Sequence, residues 1–425
     1  MVVGLTAAGH GGQGRPRGPS SVHAGRAGRS LLSETVSQPA YLFAPLMKIF
    51  DTTNLPTGPL WLELFVVVWI FALPVAACYQ CLGLVPAVAF SLLAVSPRLL
   101  WRPGQPPEGK SFVLANAIYW NMLYPMFFGS PLFIALFSWV WPRACGVAAL
   151  VYFVGIKTVV RPDLKDGAGW QYFSQHDWGL HALRHYLRLR LHMPEKLLAR
   201  PASEPVVIAI HPHGIASDFR VGLDGLLYAA MPGRHVLALA ASVLFTLPFV
   251  RELCLWTRCI DASKPIASRA LRKGHSLLVL PGGEAEQMRT RPGVEEVYLA
   301  KRVGFVKLAM QQKAALVPCY AFGVVDLYAV SDAQYKSNAH GLRWMLSSKH
   351  HVAVPSYAGA CGFLGKRVPN DLVFGEPIEP ACAKPGEPTD AEVQAAHTAY
   401  IAALKTLFDE HKAGLGYGDR ELLVA

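Results

Sequence analysis

Two long stretches without a charged residue constrain this chain more than any other feature. Thirty-four residues after Glu63 and 32 residues after Lys110 contain no Asp, Glu, Lys or Arg. About 20 apolar residues span a bilayer as one helix, so the first stretch is too long for one straight span and short for two. Pro74 and Pro86 favour a kinked or hairpin pair. We therefore predict a hydrophobic membrane region over 60–160 with two to four segments; the alternative is a pair of core helices in a soluble protein.

The content and sign of the charged residues limit the classes of binding partner. Charged residues make up only 16% of the chain, against about 25% in a typical soluble domain. The formal net charge of +11 fits anionic lipid, nucleic acid or a polyanion such as coenzyme A. No zinc-finger spacing, basic helix or aromatic-basic RNA motif is present, so we expect no nucleic-acid partner. The eight cysteines are scattered and form no disulfide framework.

The N-terminal residues 1–45 have a different composition from the rest. They are rich in Gly, Ser and Ala, and the first 40 residues contain four arginines but a single acid, Glu34. Such a segment cannot bury enough apolar surface to become ordered. We predict a disordered tail, with a cleavable transit peptide as the alternative.

Residues 170–425 alternate between strand-like and helix-like patterns. Short aliphatic runs bounded by polar residues or glycine predict strands, and longer amphipathic segments predict helices. Alternation of this kind predicts an α/β fold with a mostly parallel sheet covered on both faces. The predicted strands are 186–193, 206–210, 235–239, 276–280 and 315–322, and the predicted helices include 217–231, 303–312 and 390–413.

The segment from His211 to Asp218 is the strongest candidate for a catalytic site. It begins where the predicted strand 206–210 ends, and sites in open α/β sheets form beyond the carboxyl ends of strands. The spacing between His213 and Asp218 can bring the carboxylate back to the ring, fix its tautomer and leave the other nitrogen to accept a proton. We predict that His213 is a general base supported by His211 and Asp218. The alternative is a set of capping and packing residues.

These residues also carry a resemblance. His211-Pro-His-Gly214 resembles the HPHG signature of the type 2 diacylglycerol acyltransferase family, which includes monoacylglycerol and wax-ester acyltransferases. Three further blocks, at 280–288, 302–309 and 317–323, are similar to blocks of that family and occur in its order. The chain departs from the pattern at Val324, where the family usually has Glu, and in an atypical Glu284-Ala285 insertion.

The resemblance implies an enzyme that esterifies diacylglycerol with a fatty acyl group from acyl-CoA and so forms triacylglycerol. His213 would act as the base, while the Asp218 pairing comes from the spacing in this chain, because most HPHG proteins lack an acid there. We expect no metal or other cofactor, with acyl-CoA as a substrate. The candidates for substrate or oxyanion contacts are Pro212, Gly214, Gly282, Gly283 and Glu286, and those for coenzyme A are Arg289, Arg302 and Lys307.

Two alternatives to this function stay open. The acceptor could instead be monoacylglycerol or a long-chain alcohol. The chain could also be a catalytically inactive lipid-binding or droplet-coating protein, although an intact base argues against that. We expect the endoplasmic reticulum membrane and lipid droplets as the location, with the plastid envelope as the alternative, and self-association into a homo-oligomer is left open.

Overall fold

The computed structural model describes residues 47–56, 58–128, 138–139, 141–155, 160–350 and 353–425. The prediction for the N-terminal tail lies outside the described residues. The strands are β1 (Met47–Phe50), β2 (Arg190–Pro194), β3 (Val206–His211), β4 (Val236–Ala240), β5 (Cys259–Asp261), β6 (Ser276–Val279), β7 (Glu295–Val297), β8 (Ala315–Phe322), β9 (Asp371–Phe374) and β10 (Leu422–Val424). The helices are α1 (Leu60–Leu82), α2 (Leu84–Leu100), α3 (Gly109–Phe128), α4 (Pro142–Val154), α5 (Gln171–His176), α6 (Trp178–Tyr186), α7 (Glu195–Ala199), α8 (Asp218–Ala230), α9 (Val250–Trp256), α10 (Lys264–Arg272), α11 (Gly283–Arg289), α12 (Gly304–Gln311), α13 (Asp332–Ala339), α14 (Leu342–His350) and α15 (Asp390–Lys412).

The main sheet is mixed. Its eight strands lie in the order β1-β2-β9-β8-β3-β6-β4-β5. The pairs from β8 through β3, β6 and β4 to β5 are parallel, as is β2 with β9, whereas β1 with β2 and β8 with β9 are antiparallel. The predicted α/β class is confirmed. The predicted mostly parallel arrangement holds for strands β8 to β5, which include the strand before the HPHG segment. The two antiparallel pairs make the sheet as a whole mixed.

Strand β3 lies in the middle of this sheet and is buried throughout. Its run of Val, Ile and Ala is typical of a strand covered on both faces. Ile208 and Ile210 pack into a core shared with α1, α3 and α6, while Val207 and Ala209 pack on the other face against α12 and α15. This alternation holds the end of β3, and the loop that follows it, on a rigid base.

The sequence-based boundaries hold for most elements near the site. Helix α8 and helix α15 lie within a residue or so of their predicted bounds, and Thr389 caps α15 with the predicted capping box. The prediction of a strand over 186–193 is wrong at its start, because Tyr186 is the last residue of α6 and the strand begins at Arg190. Tyr186 and Leu187 are buried at the end of α6, and the exposed Arg188 has a left-handed backbone with φ of 46°, so a turn interrupts the alternating pattern before β2 begins.

The first uncharged stretch forms a helical hairpin. Helices α1 and α2 are separated by Gly83, and α1 bends by 47° at Pro74, which cannot donate the helical hydrogen bond. The Glu63 carboxylate and the Arg98 guanidinium, which bracket the stretch in sequence, lie 4.0 Å apart. In the described ranges no single helix has both the length and the apolar composition of a membrane span, and the two halves of α1 meet that requirement only as a bent pair.

Candidate functional site

His211, the last residue of β3, lies in the core. Its side chain is fully buried, and its Nε2 lies 3.2 Å from the hydroxyl of Tyr400. That hydroxyl donates to the carbonyl of Ala209, so it accepts a hydrogen bond from the His211 ring. Burial lowers the pKa of His211 to about 3, so the ring is neutral. The His211 ring lies beneath the loop in the core, so any part it takes is one of support and not of proton transfer, and that supporting role stays a prediction.

His213 lies in the loop beyond β3 and is partly exposed. Its Nδ1 is 2.9 Å from the carbonyl oxygen of Gly214 and 2.9 Å from the hydroxyl of Ser217. Because a carbonyl can only accept, Nδ1 carries the proton and Nε2 keeps its lone pair. Burial lowers the pKa of His213 below its ordinary value, and the Gly214 carbonyl partly offsets this. At neutral pH the ring is therefore a neutral base with Nε2 as the accepting atom.

Ser217, rather than Asp218, bonds the His213 ring. Ser217 has a left-handed backbone with φ of 53°, and its hydroxyl does not cap α8. Instead the hydroxyl donates to the carbonyl of His213 at 2.8 Å and lies close to the ring. The predicted pairing of Asp218 with His213 is wrong in this structure, because the first turn of α8 directs that carboxylate toward two tyrosines.

Asp218 is buried and accepts hydrogen bonds from two phenols. One is Tyr124 on α3 in the hydrophobic region, and the other is Tyr328, which follows β8 and lies 2.7 Å away. Burial raises the pKa of Asp218, and the two phenol hydrogen bonds oppose that rise. Asp218 therefore joins the start of α8 to α3, and its contact with the base runs through the neighbouring Ser217.

Glu286, on α11, binds the backbone of the HPHG loop. It is buried, and its two carboxylate oxygens accept from the backbone N–H groups of His213 at 2.6 Å and Tyr298 at 2.9 Å. Burial raises the pKa of Glu286 to about 7, although both N–H bonds favour the charged form. Each carboxylate oxygen accepts from a backbone N–H, so Glu286 positions the His213 loop in this structure. Its predicted contact with substrate stays a prediction.

The remaining candidates for substrate or oxyanion contacts are Pro212, Gly214, Gly282 and Gly283, and they differ in whether a backbone N–H is available. Pro212 has no N–H, and the N–H of Gly283 donates to the Leu280 carbonyl at 3.1 Å. A Cβ atom on Gly214 would lie 2.4 Å from Val324, and one on Gly282 would lie 2.3 Å from the Glu286 carboxylate. Both positions therefore require glycine. Pro212 and Gly283 are thus poor oxyanion donors, and an oxyanion role for the N–H groups of Gly214 and Gly282 stays a prediction.

The three basic candidates do not lie together. Arg289 and Arg302 both lie over the ring of Tyr298, with guanidinium carbons 4.7 and 5.8 Å from its centroid. Lys307 instead forms an ion pair with Asp390 at 2.9 Å. Only the two arginines remain grouped near the loop that carries His213.

Sequence reasoning missed Ser217 as the partner of His213, and it missed both tyrosines. Ser217 stands four residues after His213, the spacing at which a loop hydroxyl returns to a preceding side chain, so the signal was present. Tyr124 and Tyr328 lie 94 and 110 residues from Asp218, and no local pattern connects them to it. Tyr124 reaches Asp218 through the packing of α3 against the start of α8, and Tyr328 reaches it from the segment that follows β8.

An α/β sheet with a neutral, partly exposed histidine beyond its central strand is the arrangement of an enzyme that deprotonates a nucleophile. A family model described as "Diacylglycerol acyltransferase" matches residues 139–425. The chain belongs to this family, and the prediction of an acyltransferase is confirmed.

Individual relatives agree with this assignment. Diacylglycerol O-acyltransferase 1 of Schizosaccharomyces pombe is 30% identical over 54% of this chain and 68% of its own length. Diacylglycerol O-acyltransferase 2 of Dictyostelium discoideum is 32% identical over 48% and 66%, and acyl-CoA wax alcohol acyltransferase 2 of Mus musculus is 30% identical over 51% and 69%. The chain thus spans about two thirds of the length of these relatives. A solved 1-acyl-sn-glycerophosphate acyltransferase from Thermotoga maritima, 13% identical, aligns with 69% of this chain and 96% of its own at a TM-score of 0.35.

Proposed function

We propose that this chain transfers a fatty acyl group from acyl-CoA to the free hydroxyl of diacylglycerol and so forms triacylglycerol. Membership of the family supports the reaction class. The observation that carries the mechanism is the His213 ring, whose Nδ1 is held by Gly214 and Ser217 while Nε2 is left with its lone pair. A general base must present such an atom to an alcohol.

The reaction then follows in one chemical sequence. Nε2 of His213 takes the hydroxyl proton as the alcohol oxygen attacks the thioester carbonyl. The N–H groups of Gly214 and Gly282 stabilise the oxyanion that forms, and loss of one such donor typically costs about 100- to 1,000-fold in rate. The tetrahedral intermediate collapses, the carbon–sulfur bond breaks, and His213 returns the proton to the departing sulfur. Both substrates are bound together, so no acyl-enzyme is needed.

The hydroxyl of Ser217 and the carbonyl of Gly214 assist by keeping the proton on Nδ1. When the ring becomes positively charged during the reaction, both oxygens face the N–H that carries part of that charge. Such contacts favour the imidazolium, which lowers the cost of proton transfer. The burial that lowers the pKa of His213 keeps the ring neutral and ready before substrate arrives.

We also propose that the hairpin of α1 and α2 contacts a lipid surface. Many large apolar side chains of this hairpin face outward, with Val85 79% and Leu99 68% exposed. Contiguous exposed apolar surface is typical of membrane or partner contact. We propose the endoplasmic reticulum membrane and lipid droplets as its location, and a fluorescent fusion of residues 1–45 would test the plastid alternative.

Microsomes expressing the chain test the reaction. They are incubated with labelled acyl-CoA and a panel containing diacylglycerol, monoacylglycerol and a long-chain alcohol. We expect labelled triacylglycerol from the wild type and at least about 1,000-fold less from His213→Ala, because the base is lost. His235→Ala is the matched control, since this exposed histidine lies just before β4, at the amino ends of the parallel strands, whereas His213 follows the carboxyl end of β3. Full activity of His213→Ala would contradict the mechanism, and a preferred product other than triacylglycerol would reassign the acceptor.

A further inference from the structure

Arginines stacked on aromatic rings form a surface that the proposed mechanism does not use. The guanidinium carbon of Arg289 lies 4.7 Å from the ring centroid of Tyr298 and 4.3 Å from that of Trp344. The guanidinium carbon of Arg302 lies 5.8 Å from the centroid of the same tyrosine ring. We call these four residues, together with Arg291 over the ring of Tyr335 at 4.7 Å, the arginine–aromatic cluster.

The positive charges of this cluster have no close counter-charge in the described residues, although Arg302 lowers the pKa of Glu286 from beyond salt-bridge distance. Among the described residues, none of its three arginines forms an ion pair with a carboxylate, whereas Arg258, Arg420 and other arginines do. Arg291 and Arg302 are exposed to solvent. The stacking orders the guanidinium groups in advance, because a planar guanidinium on a ring has lost much of its rotamer freedom. A prearranged group of unpaired guanidinium ions suits a ligand with several phosphates.

The cluster lies close to the catalytic base. One carboxylate, that of Glu286, binds the backbone N–H of His213 with one oxygen and the backbone N–H of Tyr298 with the other. Arg289 is the last residue of α11, the helix that carries Glu286. The cluster therefore lies beside the His213 loop, and the Glu286 carboxylate connects the two.

We propose that the arginine–aromatic cluster binds the 3′-phosphoadenosine diphosphate end of acyl-CoA. This inference rests on the proposed function, because it assigns the nucleotide portion of the acyl donor. Arginines bind phosphates through paired N–H groups, and the rings of Tyr298 and Trp344 provide planar surfaces of the kind on which adenine stacks. A pantetheine arm separates the thioester from the nucleotide, so the nucleotide site must lie near the base but not on it.

The chemistry that recognises these phosphates would also attract an anionic lipid headgroup. The nucleotide is part of the acyl donor, whereas the lipid headgroup is not. The thioester of acyl-pantetheine is the same as that of acyl-CoA, but acyl-pantetheine lacks the nucleotide and its phosphates. A donor comparison therefore isolates the nucleotide site from both the chemistry and the membrane.

Steady-state kinetics with the two donors provide the test. We expect Arg289→Ala and Trp344→Ala to raise the KM for acyl-CoA by about tenfold, the typical effect of losing one charged hydrogen bond, with kcat little changed. With acyl-pantetheine as donor, the same variants should match the wild type, which also shows that they are folded. Arg289→Lys should behave like Arg289→Ala, because an ammonium cannot stack between two rings. Arg272→Ala, an exposed arginine on α10, is the matched control.

Direct binding provides a second measurement that does not need turnover. Radiolabelled 3′-phosphoadenosine 5′-phosphate should bind the wild type and Arg272→Ala but not Arg289→Ala. Unchanged KM for acyl-CoA and unchanged nucleotide binding in both cluster variants would overturn the inference while leaving the acyltransferase intact. Loss of binding to phosphatidylserine vesicles without any change in the donor comparison would overturn it in favour of a lipid contact. Absence of transfer from either donor by the wild type would instead refute the proposed function.

Discussion

Glu286 provides the sharpest test of how the fold positions the base. Its carboxylate is the only side chain that accepts from the backbone of His213 in the described part of the chain, and it does so at 2.6 Å. In Glu286→Gln, the amide oxygen can still accept from one N–H, but its NH₂ group faces the other N–H. The change removes a hydrogen bond to a charged group, worth about 1.5–3 kcal/mol. If that loss falls on the loop geometry, kcat decreases by about 10- to 100-fold with little change in KM.

The pH dependence of kcat distinguishes a positioning role of Glu286 from a general loss of structure in the variant. Both oxygens of Glu286 accept hydrogen bonds, which requires the carboxylate form, and the pKa of Glu286 is raised to about 7. In the wild type, kcat should therefore decrease as the pH falls through about 7. The ring of His213 stays neutral across that window, because its pKa is lowered below 6.5. In Glu286→Gln the decrease should move to the lower pH at which His213 itself becomes protonated.

The same carboxylate affects stability with a definite sign. Its pKa is higher in the folded protein than the ordinary 4.5, so the folded state binds more protons than the unfolded state between pH 4.5 and about 7. The free energy of unfolding should therefore decrease by about 3 kcal/mol as the pH rises through that window, and Glu286→Gln should remove this slope. Glu410→Gln, an exposed residue on α15, is the control. An unchanged kcat, or an acid limb still near pH 7 in Glu286→Gln, would refute the reasoning.

Two further predictions concern the neighbours of the base. Ser217→Ala removes the hydroxyl that bonds Nδ1 of His213 but leaves the Gly214 carbonyl, so kcat should decrease by only about 3- to 10-fold at constant KM, measured in the microsomal assay. A loss as large as that of His213→Ala would mean that Ser217 has another role. Tyr124→Phe removes a phenol that donates to the buried carboxylate of Asp218 and should lower the free energy of unfolding by about 1.5–3 kcal/mol in detergent, whereas Tyr79→Phe, exposed on α1, should not. The effect of Tyr124→Phe should shrink in an Asp218→Asn background, and additive effects would contradict the contact.

Local sequence patterns predicted the parts of the site that depend on strand ends. The aliphatic run 206–210 located β3, and the HPHG residues after it located the base. The pattern also predicted that a nearby group would hold one ring nitrogen of His213. It named the wrong group, because whether Ser217 or Asp218 turns toward the ring depends on the backbone angle of Ser217, which sequence spacing does not determine.

Contacts between distant segments were not predictable in the same way. The Glu286 carboxylate meets the His213 backbone across 73 residues, and nothing local distinguishes it from the neighbouring Glu284. Its burial could have been suspected only from its place after a predicted strand. The family resemblance implied a strand end at Phe374, where β9 does end, but the antiparallel pairing of β9 with β8 was not predicted, because four residues carry too little periodic signal to assign their neighbour.

The hydrophobic region and the catalytic loop are coupled through one buried carboxylate. Asp218 begins α8 directly after Ser217, and Ser217 bonds both the carbonyl and the ring of His213. Moving α3 away would leave Asp218 without the phenol of Tyr124, and a buried carboxylate that loses a donor becomes strongly unfavourable. The position of α3 is therefore transmitted to the base through Asp218 and Ser217. We therefore expect a displacement of α3 to alter the geometry of His213 through this series of contacts.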